Sequence, residues 1–301
     1  MNLSVKISSV TFKNPVTVAS GTFGHAEKYH NLEEVKKLGA IVPKTVTLYP
    51  QVGNPPVRIW ETPCGMINAI GIENPGIDAF IQTKLPNFKK IGVPLIVSIL
   101  GHTPEQFVEI VEKLNTQEDV AALELNLSCP NLKHKTLVAQ DPQATQELVR
   151  KVKAVSKFPV IAKLSPNVTD ISEIAMAAEA GGADAVSLIN TLSAMAIDTK
   201  TRKSRIGNFT GGLSGPAIRP VAVAMVHKVY SSVKIPIIGM GGIANANDAL
   251  EFIIAGATMV ATGTINFVNP RASLEVLEGI VSYMKEQKIT DIHQLIGSLQ
   301  K

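Results

Sequence analysis

Short apolar runs and longer amphipathic stretches alternate along the chain, and the alternation recurs eight times. The apolar runs are residues 16–20 (VTVAS), 40–47 (AIVPKTVT), 94–100 (PLIVSIL) and 121–128 (AALELNLS), then 159–165 (PVIAKLS), 184–190 (DAVSLIN), 235–241 (IPIIGMG) and 258–264 (TMVATGT). Most are apolar throughout rather than at every second position, as strands covered on both faces of a parallel sheet must be. In residues 103–114, Phe107, Ile110, Val111 and Leu114 form one helical stripe, with Thr103 as cap, Pro104 in the first turn and Gln106 completing a capping box. Asp141 before Pro142, and Asp170 with Glu173, predict two further helix starts, and the glycines in 181–183 and 255–257 predict helix ends. Val5 and Ile7 followed by Val10 and Phe12 alternate at the period of a strand, predicting a short N-terminal β-hairpin that closes the bottom of the fold.

Eight β-then-α units within 301 residues predict the α/β class and a (β/α)8 TIM barrel, as one domain over residues 1–301. A doubly wound open sheet is the alternative. Two connections exceed simple turns: residues 48–77 after the second strand and 191–214 after the sixth. Both leave C-terminal strand ends, the face on which barrels build their sites, and loops of that length serve as lids or ligand floors.

Composition narrows the function classes. With 29 Lys and Arg against 25 Asp and Glu, the net charge is +4, and no basic block is interleaved with aromatics, so nucleic acid is not the expected partner. A mildly basic site for a small anion fits better. Two cysteines, Cys64 and Cys129, make no disulfide framework and have no metal-ligand spacing, so no metal is expected. The opening residues lack a signal-peptide apolar core, and no run approaches the ~18 apolar residues of a membrane span, which predicts a cytoplasmic protein with no membrane partner.

The candidate chemistry gathers at predicted strand ends. Glycines in GMGGI (239–243) and ATGT (261–264) let backbone N–H groups approach a phosphate. Lys44 and Lys163 stand in or beside apolar strands, where an ammonium needs an anionic partner or a depressed pKa. Each has three open readings: Schiff-base nucleophile, stabiliser of negative charge on a cofactor or substrate, or member of a structural ion pair. Asn68, Asn126 and Asn190, with Thr191, offer the paired donors and acceptors that complement a heterocycle bearing amide groups, although any one alone is more often a turn former. Cys129 follows the fourth strand, flanked by Asn126 and Pro130; a core thiol and an exposed proton acceptor are both compatible with that position. Cys64, in a loop rich in glycine and proline, reads as incidental.

Taken together, ELNLSCPN, VIAKLSPN, LINT, GGLSGPAI, IIGMGGI and MVATGT, with ASGTFG and GNPPVRIWETPCGMINAIGIENPG, resemble the class 1 dihydroorotate dehydrogenases over essentially the whole chain, in the family's order. The resemblance implies an FMN-containing flavoprotein, an oxidoreductase converting dihydroorotate to orotate in pyrimidine biosynthesis. It implies Cys129 as the base that takes the C5 proton while hydride leaves C6 for the flavin. Lys163 would lie near the flavin N1–C2 region, Gly241, Gly242, Gly263 and Thr264 would hold the phosphate, and Ser20, Gly21, Lys44, Thr45, Ser98, Asn126, Ile189 and Gly215 would complete the cofactor site. Lys44, Asn68, Ala69, Ile70, Gly71, Ile72, Asn126, Asn190 and Thr191 would bind the substrate, under a lid running from Asn190 to Gly215.

GNPPVR and NAIGIENPG look more like the 1B catalytic subunit than the fumarate-using 1A homodimer. That implies a homodimer, or a heterotetramer with a partner subunit carrying FAD and a [2Fe-2S] cluster, and NAD as final acceptor. Class 2 members differ in using a serine base and an N-terminal membrane-associating segment. Two positions depart from the pattern: Ser98 stands where a flavin-contacting asparagine is expected, and LKHKTLVAQDP replaces the usual glycine-containing continuation after SCPN. Rival readings are the fumarate-dependent homodimer, a non-catalytic flavin- or phosphate-binding barrel, and a Schiff-base aldolase acting through Lys163.

Overall fold

A computed structural model describes residues 1–24, 32–128, 130–131 and 136–300, with backbone alone at 130, 131 and 136. Eight parallel strands form one sheet: β1 Val16–Val18, β2 Val46–Thr47, β3 Ile96–Leu100, β4 Ala122–Asn126, β5 Val160–Lys163, β6 Ala185–Leu188, β7 Ile237–Met240 and β8 Met259–Thr262. Their spatial order, β1-β8-β7-β6-β5-β4-β3-β2, follows the chain around a ring. The ring closes between β1 and the segment entering β2, where Gly39 N–H donates to Val16 O at 2.9 Å and the Thr17 hydroxyl to Ala40 O at 3.0 Å. A Cβ on Gly39 would fall on the Asn14 carbonyl, so only glycine permits this seam. This is the (β/α)8 barrel that the alternation predicts.

Nearly every strand residue is buried, because the interior covers one face and helices cover the other. The main helices among the described residues are α1 Leu32–Val35, α2 Leu85–Ile91 (entered through a helical turn at Ile77–Ala79 and a π-helical stretch at Phe80–Lys84), α3 Pro104–Leu114, α4 Pro142–Val155, α5 Ile171–Ala180, α6 Arg219–Tyr230, α7 Ala246–Ala255 and α8 Ala272–Glu286. From α3 onward each packs on the next. The stripe on α3 is fully buried, and Thr103 Oγ1 accepts from Gln106 N–H as expected, but Gln106 Oε1 takes the N–H of His102 rather than of Thr103. Asp141 and Asp170 cap α4 and α5 by accepting from Ala144 N–H and Ser172 N–H. Gly182 and Gly256, at φ 93° and 124°, supply the left-handed turns after α5 and α7.

The strands are shorter than the apolar runs that predict them. The largest difference is at 40–47, where only Val46–Thr47 is strand and Ile41 makes an isolated bridge to Leu95. Pro43 has no N–H to give the ladder, and Lys44 turns toward the interior cavity. The predicted hairpin forms, Val5–Ile7 with Val10–Phe12, and its Val5, Ile7 and Phe12 join the core just before β1.

The two long connections are not independent loops. Residues Ile59–Thr62 and Gly65–Asn68, after β2, join Gly211–Ser214 and Leu192–Ala194, after β6, in one four-stranded antiparallel sheet. Strands two and six are four places apart in a ring of eight, so this sheet spans the mouth of the barrel. It has a small core of its own, Ile67, Ala69 and Ile206, with Trp60 packed beside it and the Arg205 guanidinium 4.5 Å from the Trp60 ring centroid.

Candidate active site

The C-terminal strand ends and the crossing sheet enclose a cavity of about 1140 Å³. Its wall is assembled around the ring. Ser20 and Gly21 come from the end of β1, Lys44 and Thr45 from the entry to β2, Asn126 from β4 and Lys163 from β5. Ile189, Asn190 and Thr191 follow β6, Gly241 and Gly242 follow β7, and Gly263 and Thr264 follow β8. Gly215, before α6, and Asn68, Ile70, Gly71 and Ile72, from the crossing sheet and the loop behind it, complete the set of predicted residues found on the wall.

Among the described residues, two cations face this space. Lys44 has its ordinary lysine pKa lowered, chiefly because burial disfavours the ammonium, and further because Lys163 is nearby; the Glu73 charge opposes the shift. Gly21, at φ 79°, makes room for it: a Cβ there would stand 3.1 Å from Lys44 Cδ. Lys163 is differently placed. It is 7% exposed, and its Nζ lies 3.5 Å from Oε1 of Glu124, which is 2% exposed. Glu124 Oε2 accepts from the Ser187 hydroxyl at 2.9 Å. The sequence reading missed Glu124; the available signal was an acid inside an otherwise apolar strand, the same signal that singled out the lysines.

The asparagines are held by short local bonds. Asn190 donates to Ser128 Oγ at 3.0 Å and accepts from Thr191 N–H at 2.8 Å; Asn68 donates to Gly212 O at 3.2 Å; Asn126 Oδ1 accepts from Ser128 N–H at 3.3 Å. Asn167 also lines the cavity, donates to Thr191 O at 3.1 Å and accepts from Ser193 N–H at 2.9 Å, so it ties β5 to the crossing sheet. It too went unnoticed, although it ends the quoted VIAKLSPN.

Opposite the lysines, backbone replaces side chains. Gly241 and Gly242 have φ of 129° and 78°, and a Cβ on Gly242 would stand 2.7 Å from Gly215 O and 2.9 Å from Arg219 N. A Cβ on Gly263 would meet only Ala19 Cβ, at 3.7 Å, so this backbone lies open to the cavity. Thr264 and Ser214 add hydroxyls, bonded to each other at 2.8 Å. A bare-backbone cradle with hydroxyls at one end, two ammonium groups and a volume large enough for a tricyclic ring fit FMN.

Two predicted residues are not on the wall. Ser98, expected to contact flavin, is fully buried in β3; its register opposite Glu124 turns it to the barrel interior below the cavity lining, where it shares a 3.0 Å hydroxyl contact with Thr45, which in turn meets Ser20 at 2.8 Å. Ala69 faces the small core of the crossing sheet, since strand alternation sends Asn68 and Ile70 to the cavity and the residue between them away from it. Cys129 lies outside the described residues. Cys64 is exposed, and its carbonyl accepts from Ala217 N–H. Among the described residues no helix is long and apolar enough to cross a membrane, and no group of three or more His, Cys, Asp or Glu side chains could hold a metal ion.

Comparison with known proteins gives a consistent result. The family model for dihydroorotate dehydrogenase matches residues 2–284. The chain is 54% identical over 301 residues to the protein named dihydroorotate dehydrogenase B (NAD(+)), catalytic subunit, of Lachnoclostridium phytofermentans, covering 100% of both chains. Proteins of the same name from Desulforudis audaxviator and Trichlorobacter lovleyi are 52% and 50% identical, with 99% of this chain and 97% and 98% of theirs covered.

Proposed function

The chain belongs to the dihydroorotate dehydrogenase family, and from that premise we propose that it oxidises dihydroorotate to orotate in de novo pyrimidine biosynthesis. It acts as the FMN-bearing catalytic subunit of an NAD-coupled enzyme. The observation that carries this reading is the end-to-end identity, above half, to a relative named for that subunit and that acceptor.

Bound FMN supplies an acceptor for the hydride that leaves C6 of the substrate. Lys44 holds the substrate carboxylate, and Asn68, Asn126 and Asn190 with Thr191 match the ring amides, fixing one face of the ring toward the cofactor. Cys129 Sγ takes the proton from C5, so the substrate loses one proton and one hydride. Gly215, Gly241, Gly242 and Gly263 offer backbone N–H groups, and Thr264 a hydroxyl, to the phosphate, while Ser20, Gly21, Thr45 and Ile189 line the remaining wall. The Lys163 ammonium offsets negative charge on the N1–C2 side of the reduced ring. Its pairing with Glu124 supports this role over a Schiff-base role, because an ion-paired ammonium is not a nucleophile. The crossing sheet keeps bulk water from the reacting carbons.

The second half of the cycle belongs to a partner. In this reading the chain is a single domain over residues 1–301, cytoplasmic and homodimeric within a heterotetramer, and its electrons pass to NAD through a subunit carrying FAD and a [2Fe-2S] cluster. An anaerobic titration of the purified chain with dihydroorotate tests the whole assignment. The visible flavin absorbance should bleach in proportion to substrate added, and colour should return with NAD only when the partner subunit is present. Yellow protein that never bleaches would remove the reaction; rapid return of colour with fumarate alone would replace the acceptor.

A further inference from the structure

We infer that Glu124 is a positioning residue of this site, whose buried carboxylate holds the Lys163 ammonium and sets how much positive charge the cavity presents to the flavin. The inference rests on the FMN reading above.

Register explains the placement. Lys163 on β5 stands opposite Asn126 on β4 and Ser187 on β6, while Glu124 precedes Asn126 by two residues and so points to the same, inner face one step deeper in the barrel. Lys163 lines the cavity, whereas Glu124 lies behind it and is 2% exposed. The carboxylate is fastened at Oε2 by the Ser187 hydroxyl, and Oε1, 3.5 Å from Lys163 Nζ, has no hydrogen bond among the described residues. An unsatisfied oxygen on a buried acid is costly, and an ion pair replaced by apolar groups is often no less stable, so packing does not account for it. A counter-charge behind Lys163 does. Lys44 and Lys163 already act on one another across the cavity. With Glu124 in place the deeper lysine is compensated, so the cavity presents less positive charge to a reduced flavin.

Sodium sulfite reads this charge without turnover. It adds through sulfur to flavin N5, forming an N5–S bond and leaving negative charge on the N1–C2 side of the ring. The FMN-loaded Glu124→Gln protein should bind sulfite about tenfold more tightly than wild type, and its two-electron midpoint potential should rise by about 30 mV, the same factor converted. Glu124→Asp, which keeps the charge, should return both values toward wild type. In a Lys163→Gln background, where the carboxylate is left without its ammonium, adding Glu124→Gln should raise both values toward wild type, a comparison that holds even where the single Glu124→Gln protein folds poorly. A stability role alone would move neither readout. Wild-type sulfite affinity in folded Glu124→Gln, or equal affinities of Lys163→Gln with and without Glu124, would overturn the inference. A wild-type chain that takes up no FMN would overturn instead the reading on which it rests.

Discussion

Lys44 and Lys163 share one cavity yet are charged on different terms, and the difference is measurable. Lys163 has an acid behind it, whereas Lys44 is half-buried against Gly21 with its proton affinity reduced by desolvation and by the other lysine. Because its folded pKa lies below the unfolded value of 10.5, the unfolded chain binds more protons between the two, so Lys44's contribution to stability grows as pH rises through that window. Binding of an anion has the opposite sign, since it needs the ammonium. Orotate affinity, followed by perturbation of the flavin spectrum, should therefore weaken with rising pH before the ordinary lysine range is reached, and Lys44→Gln should flatten that dependence. A profile that stays level to pH 10.5 would remove Lys44 from the carboxylate. Cys129→Ala should keep FMN and orotate binding but slow flavin reduction by about 10² to 10⁴, the range for a lost general base. Rapid mixing with dihydroorotate measures it, and near-normal reduction would exclude the thiol as base.

At the scale of elements, much of the molecule was legible because burial on both faces leaves a barrel strand apolar from end to end. Strand ends then located most of the cavity wall, since a polar residue closing such a run has only the C-terminal face to occupy. Three things were not legible. The run at 40–47 hid a break, because Pro43 and Lys44 interrupt a pairing that composition alone does not expose. Ser98 and Ala69 follow from pattern alone, and depth in the barrel for Ser98, side-chain direction for Ala69, removes them from the wall. The crossing sheet was invisible, because its ladder pairs Gly212 with Asn68 across 144 residues of sequence. That sheet carries its own prediction. A Cβ on Gly212 would fall on the Thr191 hydroxyl, so Gly212→Ala should push Thr191 off the cavity wall. Orotate binding is expected to weaken by about tenfold, the scale of one displaced hydrogen bond, with FMN retained; isothermal titration of the holoprotein decides it, and unchanged affinity would free Thr191 of any role.

For the whole molecule the vulnerable point is the seam between the first two strands, closed by a few hydrogen bonds, among them Gly39 N–H to Val16 O, Thr17 to Ala40 O and Ser20 to Thr45, around Gly39. Gly39→Ala places a methyl on the Asn14 carbonyl and should cost about 3 kcal/mol or more, the upper range for a single substitution. Urea unfolding followed by far-UV circular dichroism gives the number, and a wild-type midpoint would mean that the seam yields without loss. The ring has a second consequence. The sheet that joins the loops after β2 and β6 is a crossbar over the rim, and it divides the strands into two sets. On one side stand β3 to β5, with Asn126 and Lys163; on the other stand β7, β8 and β1, with the glycine cradle. Under the proposed function, the cradle would keep its nucleotide on one side of this bar while the small acid comes and goes on the other.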